Sequence, residues 1–190
     1  MTTASVATAA VVLAAGGGSR FTGPGHKLLA EVGGRPLVSH VFDAVIEADI
    51  GPVIVVTGAA DLDELLPEGV IEAPNPRWDE GQATSLAAGI AAADRLGADA
   101  VVVGLGDQPG IPADAWRLVA GSTSPIAVAT YGDRRRNPVR LARSVWPMLS
   151  AEGDAGARDL VRARPDLVDR VACPGSPDDI DTQEDLQRWN

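Results

Sequence analysis

Lysine is almost missing from this chain: Lys27 is the single lysine among sixteen basic residues, which face twenty-six acidic ones. The formal net charge of −10 and the isoelectric point near 4.5 leave no basic face. Sequence-independent binding to nucleic acid or to an anionic membrane is thereby excluded, and a small anionic ligand would need local cations or a bridging metal. Cysteine is as scarce. Cys173 alone permits neither an internal disulfide nor a multi-cysteine metal site, and it fits a reducing compartment. The two histidines, His26 and His40, have no partner at metal or catalytic spacing. Aromatic residues make up 4% of the chain, and the four tryptophans are too dispersed to form a stacking platform. No apolar run reaches the length of a membrane span. The N-terminus "MTTASVATAAVVLAAGGG" resembles a signal sequence only superficially, because it lacks a basic leader and runs into glycines rather than a cleavage site. The expectation is a soluble, cytoplasmic protein.

What is present is a core. A chain of 190 residues with 45% hydrophobic content suffices for one sizeable domain, expected to span residues 1–190. Short β-rich runs, "TAAVVLAA" (8–15), "PVIVVTG" (52–58), "AVVVGL" (100–105) and "PIAVATY" (125–131), lack polar alternation and so read as strands buried on both faces. "GVIEAP" is a further short strand candidate. Between them, Leu37, Val41 and Val45 with Val38, Phe42 and Ile46 make an i, i+4, i+8 stripe, and Leu86, Ile90 and Ala93 mark a second helix over 82–97. Weaker helical patterns cover 60–66, 112–121, 154–164 and 182–189. This alternation predicts an α/β fold, a three-layer α/β/α sandwich around a Rossmann-like, mostly parallel sheet.

In such a sheet ligands sit outside the carboxyl ends of the strands. That places four polar segments on one rim: the loop after the first strand, "NPRWDEGQATS" (75–85), "GDQPG" (106–110) and "GDRRRNP" (132–138). In the first loop Gly16, Gly17 and Gly18 let backbone N–H groups approach an anion with no Cβ in the way. Arg20 adds a planar donor fork and Lys27 a point charge, a pairing suited to several phosphate oxygens. A Walker A loop is excluded because Lys27 stands between His26 and Leu28, not in Gly-Lys-Ser/Thr. A dinucleotide fingerprint is excluded because Phe21 stands where a small residue is needed.

"LAAGGGSRF…K" resembles the signature loop of the MobA-like nucleotidyltransferases, and specifically those that attach a nucleotide to molybdopterin. "NPRWDEGQATSLAAGI", "GDQP", "RNPV", "GDAGARDL" and "DIDTQEDL" are similar to further segments of that family in the same order, over residues 12–186. The Arg20-to-Lys27 loop is longer than is usual there, and Gln183 replaces a common proline. The resemblance implies the fold of nucleotide-diphospho-sugar transferases and the transfer of a nucleoside monophosphate from an NTP to a phosphate-bearing acceptor, molybdopterin or molybdenum cofactor, with release of pyrophosphate. It implies a nucleotide site of Leu13, Ala14, Ala15, Gly16, Gly17, Gly18, Arg20, Lys27, Asn75, Gly81 and Ser85. Arg20, Lys27 and Asp107 would be catalytic, and Asp107 and Asp181 would hold Mg²⁺, a hard cation that usually takes one or two carboxylates plus substrate oxygens. Asn137, Pro138, Asp154 and Arg158 would bind the acceptor, and a molybdoenzyme or its chaperone would be a protein partner. The Ala14-Ala15-Gly16 form of the loop is closer to the cytidylyl than to the guanylyl branch, so CTP is favoured over GTP.

Plainer readings of these residues stay open. Asp107 precedes Gln108-Pro109 and could simply start a turn. Asp181 and Thr182 suit a helix start, where acids are favoured. Ser85 and Gly81 could meet a base or ribose, or only begin a helix. Asp154 could be an N-cap, Arg158 a surface partner, Asn137-Pro138 a turn, and Arg134, Arg135 and Arg136 a solvated loop rather than a phosphate site. Guanylyl transfer to the same acceptor, transfer to another small phosphorylated compound and a nucleotide-binding regulator without turnover are the alternative functions. A dehydrogenase conflicts with Phe21 and with the absence of a suitable acid after the second strand.

Overall fold

The computed structural model describes residues 7–150, 152–154 and 156–189. Residues 1–6, on which part of the N-terminal reading falls, and Ala155 within "GDAGARDL" lie outside them. In chain order the strands are β1 (Ala9–Leu13), β2 (Glu31–Val32), β3 (Arg35–Pro36), β4 (Val53–Thr57), β5 (Ile71–Pro74), β6 (Ala100–Leu105), β7 (Ile126–Tyr131), β8 (Arg134–Ala142) and β9 (Val168–Ala172). The helices are α1 (Leu37–Ala48), α2 (Gln82–Arg95), α3 (Ala113–Ala120), α4 (Arg158–Ala163) and α5 (Gln183–Trp189). β2 and β3 form a small antiparallel pair of their own.

The other seven strands make one sheet in the order β5-β4-β1-β6-β8-β7-β9. It is parallel except at β8, which runs antiparallel to both β6 and β7. The uniformly apolar β1 lies inside the sheet, paired with β4 on one side and with the central strand β6 on the other. Alternate residues of the strands feed two cores. Ala10, Val12, Val55 and Val102 face α1 and α3, where Leu37, Phe42 and Trp116 are buried. Val11, Ile54, Val56 and Val101 face α2 and α4, represented by Leu86, Ala93 and Leu160. These two cores on either face of a twisted sheet are the expected three layers.

Two expectations are corrected, and β9 is a strand for which none was formed. Residues 132–138, read as a rim loop, are a tight turn followed by the first half of β8. That strand begins with three exposed arginines, so its start carries no apolar signal. β9 has only half-buried or exposed residues and gives no strand pattern. The helical reading over 60–66 reduces to a 3₁₀ turn at Asp63–Leu65. The carboxyl ends of β1, β4, β6 and β7 nonetheless point the same way, so their loops share one rim.

Candidate active site

The loop after β1 is anchored before it opens. Ala14 N–H donates to Val56 O at 2.9 Å, Gly106 N–H to Leu13 O at 2.9 Å and Ala59 N–H to Ala15 O at 3.0 Å, so the backbone of Leu13, Ala14 and Ala15 is wedged between neighbouring strand ends. Beyond that point Gly16 and Gly17 are exposed. A Cβ on Gly17 would lie 2.7 Å from the Trp78 ring, and Gly18 adopts φ +61°, with a Cβ there 3.1 Å from Lys27 Cγ. A side chain at either position would push the loop away from its neighbours.

His26, to which the sequence assigned nothing, fastens the far side of this loop. Its Nε2 lies 2.9 Å from Gly16 O, and its Nδ1 accepts from Leu28 N–H at 3.2 Å at the head of the 3₁₀ turn Lys27–Leu29. Only the neutral Nε2–H tautomer satisfies both contacts. Burial, and secondarily the Lys27 charge, lower the His26 pKa below its ordinary value, against the opposing pull of the Gly16 carbonyl.

That turn aims Lys27 inward. Its Nζ donates to Asp107 Oδ2 at 2.6 Å and to Asp181 Oδ1 at 2.8 Å, while Arg20 reaches Asp181 Oδ2 at 2.9 Å. The Lys27 side chain is 12% exposed, Asp107 16% and Asp181 18%, whereas Arg20 is 77% exposed. Desolvation opposes the buried ammonium, but the two carboxylates outweigh it and hold the Lys27 pKa above the usual lysine value. Asp107 comes from the turn after β6. Asp181 precedes a capping box in which Thr182 Oγ1 accepts from Asp185 N–H at 3.1 Å and Asp185 Oδ2 accepts from Thr182 N–H at 3.0 Å, which starts α5. Asp107 Oδ1 is buried without a hydrogen-bond partner. Among the described residues no group of three or more His, Cys, Asp and Glu could hold a metal ion. Two carboxylates with one free inner oxygen nonetheless match a hard cation that completes its shell with substrate oxygens.

The other expected residues fall into two further groups. Asn75 is buried and donates from Nδ2 to Thr84 Oγ1 at 2.9 Å and Ser85 Oγ at 3.0 Å, while its Oδ1 accepts from Arg77 N–H at 3.0 Å. Asn75 and Ser85 therefore hold the β5–α2 connection together. A Cβ on Gly81 would lie 2.7 Å from Asp154 Oδ1, and Arg158 Nη2 donates to Asp154 O at 2.9 Å, so these three meet at the start of α2. Asn137 and Pro138, on β8, lie instead beside the Asp107 turn, where Asn137 Nδ2 donates to Gln108 Oε1 at 3.0 Å. Of the three arginines, Arg134 pairs with Asp178 at 2.5 Å and Arg136 donates to Arg135 O.

Residues 10–169 match the MobA-like NTP transferase domain. The chain belongs to that family and is a nucleotidyltransferase. It is 32% identical over 196 residues to the nicotine blue oxidoreductase of Paenarthrobacter nicotinovorans, covering 94% of each chain. A nucleotidyl transferase from Methanothermobacter superposes with a TM-score of 0.83 at 25% identity, covering 96% of this chain and 95% of that one. Rv0371c of Mycobacterium tuberculosis in complex with manganese superposes with a TM-score of 0.78 at 26% identity, covering 96% and 97%.

Proposed function

We propose that the protein, acting as one domain over residues 1–190, transfers a nucleoside monophosphate from an NTP, with CTP favoured, to the phosphate of molybdopterin or molybdenum cofactor in the cytoplasm. The observation that carries this reading is the Lys27 ammonium held between Asp107 and Asp181 beside an exposed glycine loop. A phosphate-binding cation and a pair of hard oxygen donors meet there at one point of the rim.

In the proposed reaction an acceptor phosphate oxygen attacks the α-phosphorus, the bond from that phosphorus to the bridging oxygen breaks, and pyrophosphate leaves with the electron pair. No protein nucleophile is required, so the residues act by positioning and charge compensation. Backbone N–H groups of Gly16–Gly18 cradle the phosphates, Arg20 folds over them from solvent, and Lys27 shifts from its carboxylates toward the departing pyrophosphate. Asn75 and Ser85 keep Gly81 in place for the base or ribose. Asn137, Pro138, Asp154 and Arg158 line the acceptor side. Asp107 and Asp181 would hold Mg²⁺, which supplies neutralisation of phosphate charge when bound. The unpartnered Asp107 Oδ1 supports that assignment, as does the manganese complex of the mycobacterial neighbour. A molybdoenzyme or its chaperone would collect the product.

The test is pyrophosphate release with each of the four NTPs, Mg²⁺ and molybdopterin. CTP-dependent release is expected, GTP-dependent release would move the enzyme to the guanylyl branch, and release with a sugar phosphate alone would replace the acceptor. A second reading is favoured by the near-full-length likeness to an oxidoreductase. A parallel assay with NADH and NADPH addresses it: reductant consumption without pyrophosphate release would overturn the transfer reading.

A further inference from the structure

Gln108 has its side chain in the interior, at 2% exposure, directly after Asp107, and it touches two separate segments. Its Nε2 donates to Pro177 O at 3.0 Å and to Asp179 Oδ1 at 2.6 Å, both in the stretch leading to Asp181. Its Oε1 accepts from Asn137 Nδ2 at 3.0 Å, and the Asn137 carbonyl in turn accepts from the Tyr131 hydroxyl at 3.0 Å. The same stretch is tied to the turn after β6 by backbone bonds, Ile180 N–H to Asp107 O at 3.0 Å and Ser176 N–H to Gly110 O at 2.9 Å, and to the start of β8 by the exposed Arg134–Asp178 pair.

We propose that Gln108 is a positioning residue that sets where the Asp181 carboxylate stands relative to Asp107, and couples that pair to Asn137 on β8. The Gln108 amide compensates the inward-turned oxygen of Asp179 at 2.6 Å. Both amide hydrogens are spent on the 177–179 stretch, and a buried amide gives up such bonds only at the desolvation cost of its partners. With the stretch fixed at 177, 179 and 180, Asp181 has little freedom except through its own side chain. Leucine or methionine would fill the space without these bonds. Glutamate would lose both donors and bring a second carboxylate against Asp179.

The inference rests on the proposed role of the Asp107–Asp181 pair, but its test needs neither nucleotide nor turnover. Because Lys27 is the only lysine, protein labelled with ¹⁵N at lysine Nζ gives a single ammonium signal. In wild type that signal is expected to be protected from solvent exchange by the two carboxylates. Gln108→Met should weaken the protection to what Asp107 alone provides, Asp181→Asn should do likewise, and the double variant should add nothing further. Gln108→Asn, which keeps a buried amide but is one methylene too short to reach both segments, should show the same loss with less strain on folding, and serves if Gln108→Met does not fold. A lowered melting temperature with the Lys27 signal as protected as in wild type would make Gln108 a stability residue only and overturn the proposal. Failure of the NTP assays would leave this result standing.

Discussion

Lys27 Nζ lies 2.6 Å from Asp107 Oδ2 and 2.8 Å from Asp181 Oδ1, so a single ammonium compensates two largely buried carboxylates from distant parts of the chain. Among the described residues the other cation on the pair is Arg20, mostly in solvent, so no buried cation there replaces Lys27 if it is removed. Lys27→Met is expected to destabilise the nucleotide-free protein by about 1–3 kcal/mol, from two buried charges left without their partner. The same change should strengthen binding of Mn²⁺ alone, because the resident cation no longer competes, and saturating Mn²⁺ should restore part of the lost stability. Urea unfolding with and without the metal, beside a Mn²⁺ titration by electron paramagnetic resonance, checks both. Weaker Mn²⁺ binding in the variant would separate the metal from these carboxylates.

Asp107→Asn preserves shape and removes charge. Lys27 keeps Asp181, so the melting temperature should stay close to wild type, while pyrophosphate release falls more than tenfold, a barrier increase above about 1.4 kcal/mol. Asp181→Asn should behave alike, with a smaller effect because its carboxylate also faces exposed Arg20. Wild-type turnover in both variants at limiting Mg²⁺ would remove the pair from the mechanism.

His26 makes the glycine loop acid-sensitive. Its pKa is lowered in the fold, so the unfolded chain binds the extra proton more readily. The stability it contributes is complete above the unfolded value of about 6.5 and is lost as pH falls through the lower folded value. Protonation puts a second donor against Leu28 N–H and undoes the turn that carries Lys27. The expected result is a melting temperature that declines below about pH 6.5 more steeply in wild type than in His26→Gln. Parallel curves would remove His26 as the source.

The buried strands and the shared rim were legible because β1, β4 and β6 are apolar on both faces, and because parallel topology gathers their following loops whatever their spacing. β8 was not, since Arg134, Arg135 and Arg136 extend a hairpin beyond the protected part of the sheet. The expected nucleotide and metal residues could be named from motif order, yet the contact between Lys27 and two aspartates could not. Those pairs are separated by 80 and 154 residues, and opposite charges at such separations carry no periodic signal. His26 and Gln108 escaped for the same reason. Each acts through hydrogen bonds to backbone or side chains that only the folded chain brings near, and a lone histidine or a glutamine in a turn has no spacing to betray it.

The adjacent glycines of the first loop separate fold from ligand binding. A Cβ on Gly17 would meet the Trp78 ring at 2.7 Å, whereas one on Gly16 would meet nothing within 4 Å, and neither residue has a positive φ that alanine would resist. Gly17→Ala therefore has to displace a packed indole, at a cost of about 1–2 kcal/mol, and Trp78→Leu in the same chain should relieve most of it. Gly16→Ala should leave stability within about 0.5 kcal/mol of wild type. If the exposed loop cradles phosphates, however, its methyl group faces the space a triphosphate would fill, and NTP affinity should drop at least tenfold with the fold intact. Calorimetric titration with CTP on both single variants, beside their unfolding curves, makes the comparison. Unchanged CTP affinity in Gly16→Ala would mean that triphosphate does not approach the backbone here, and the nucleotide would have to be sought elsewhere on the rim.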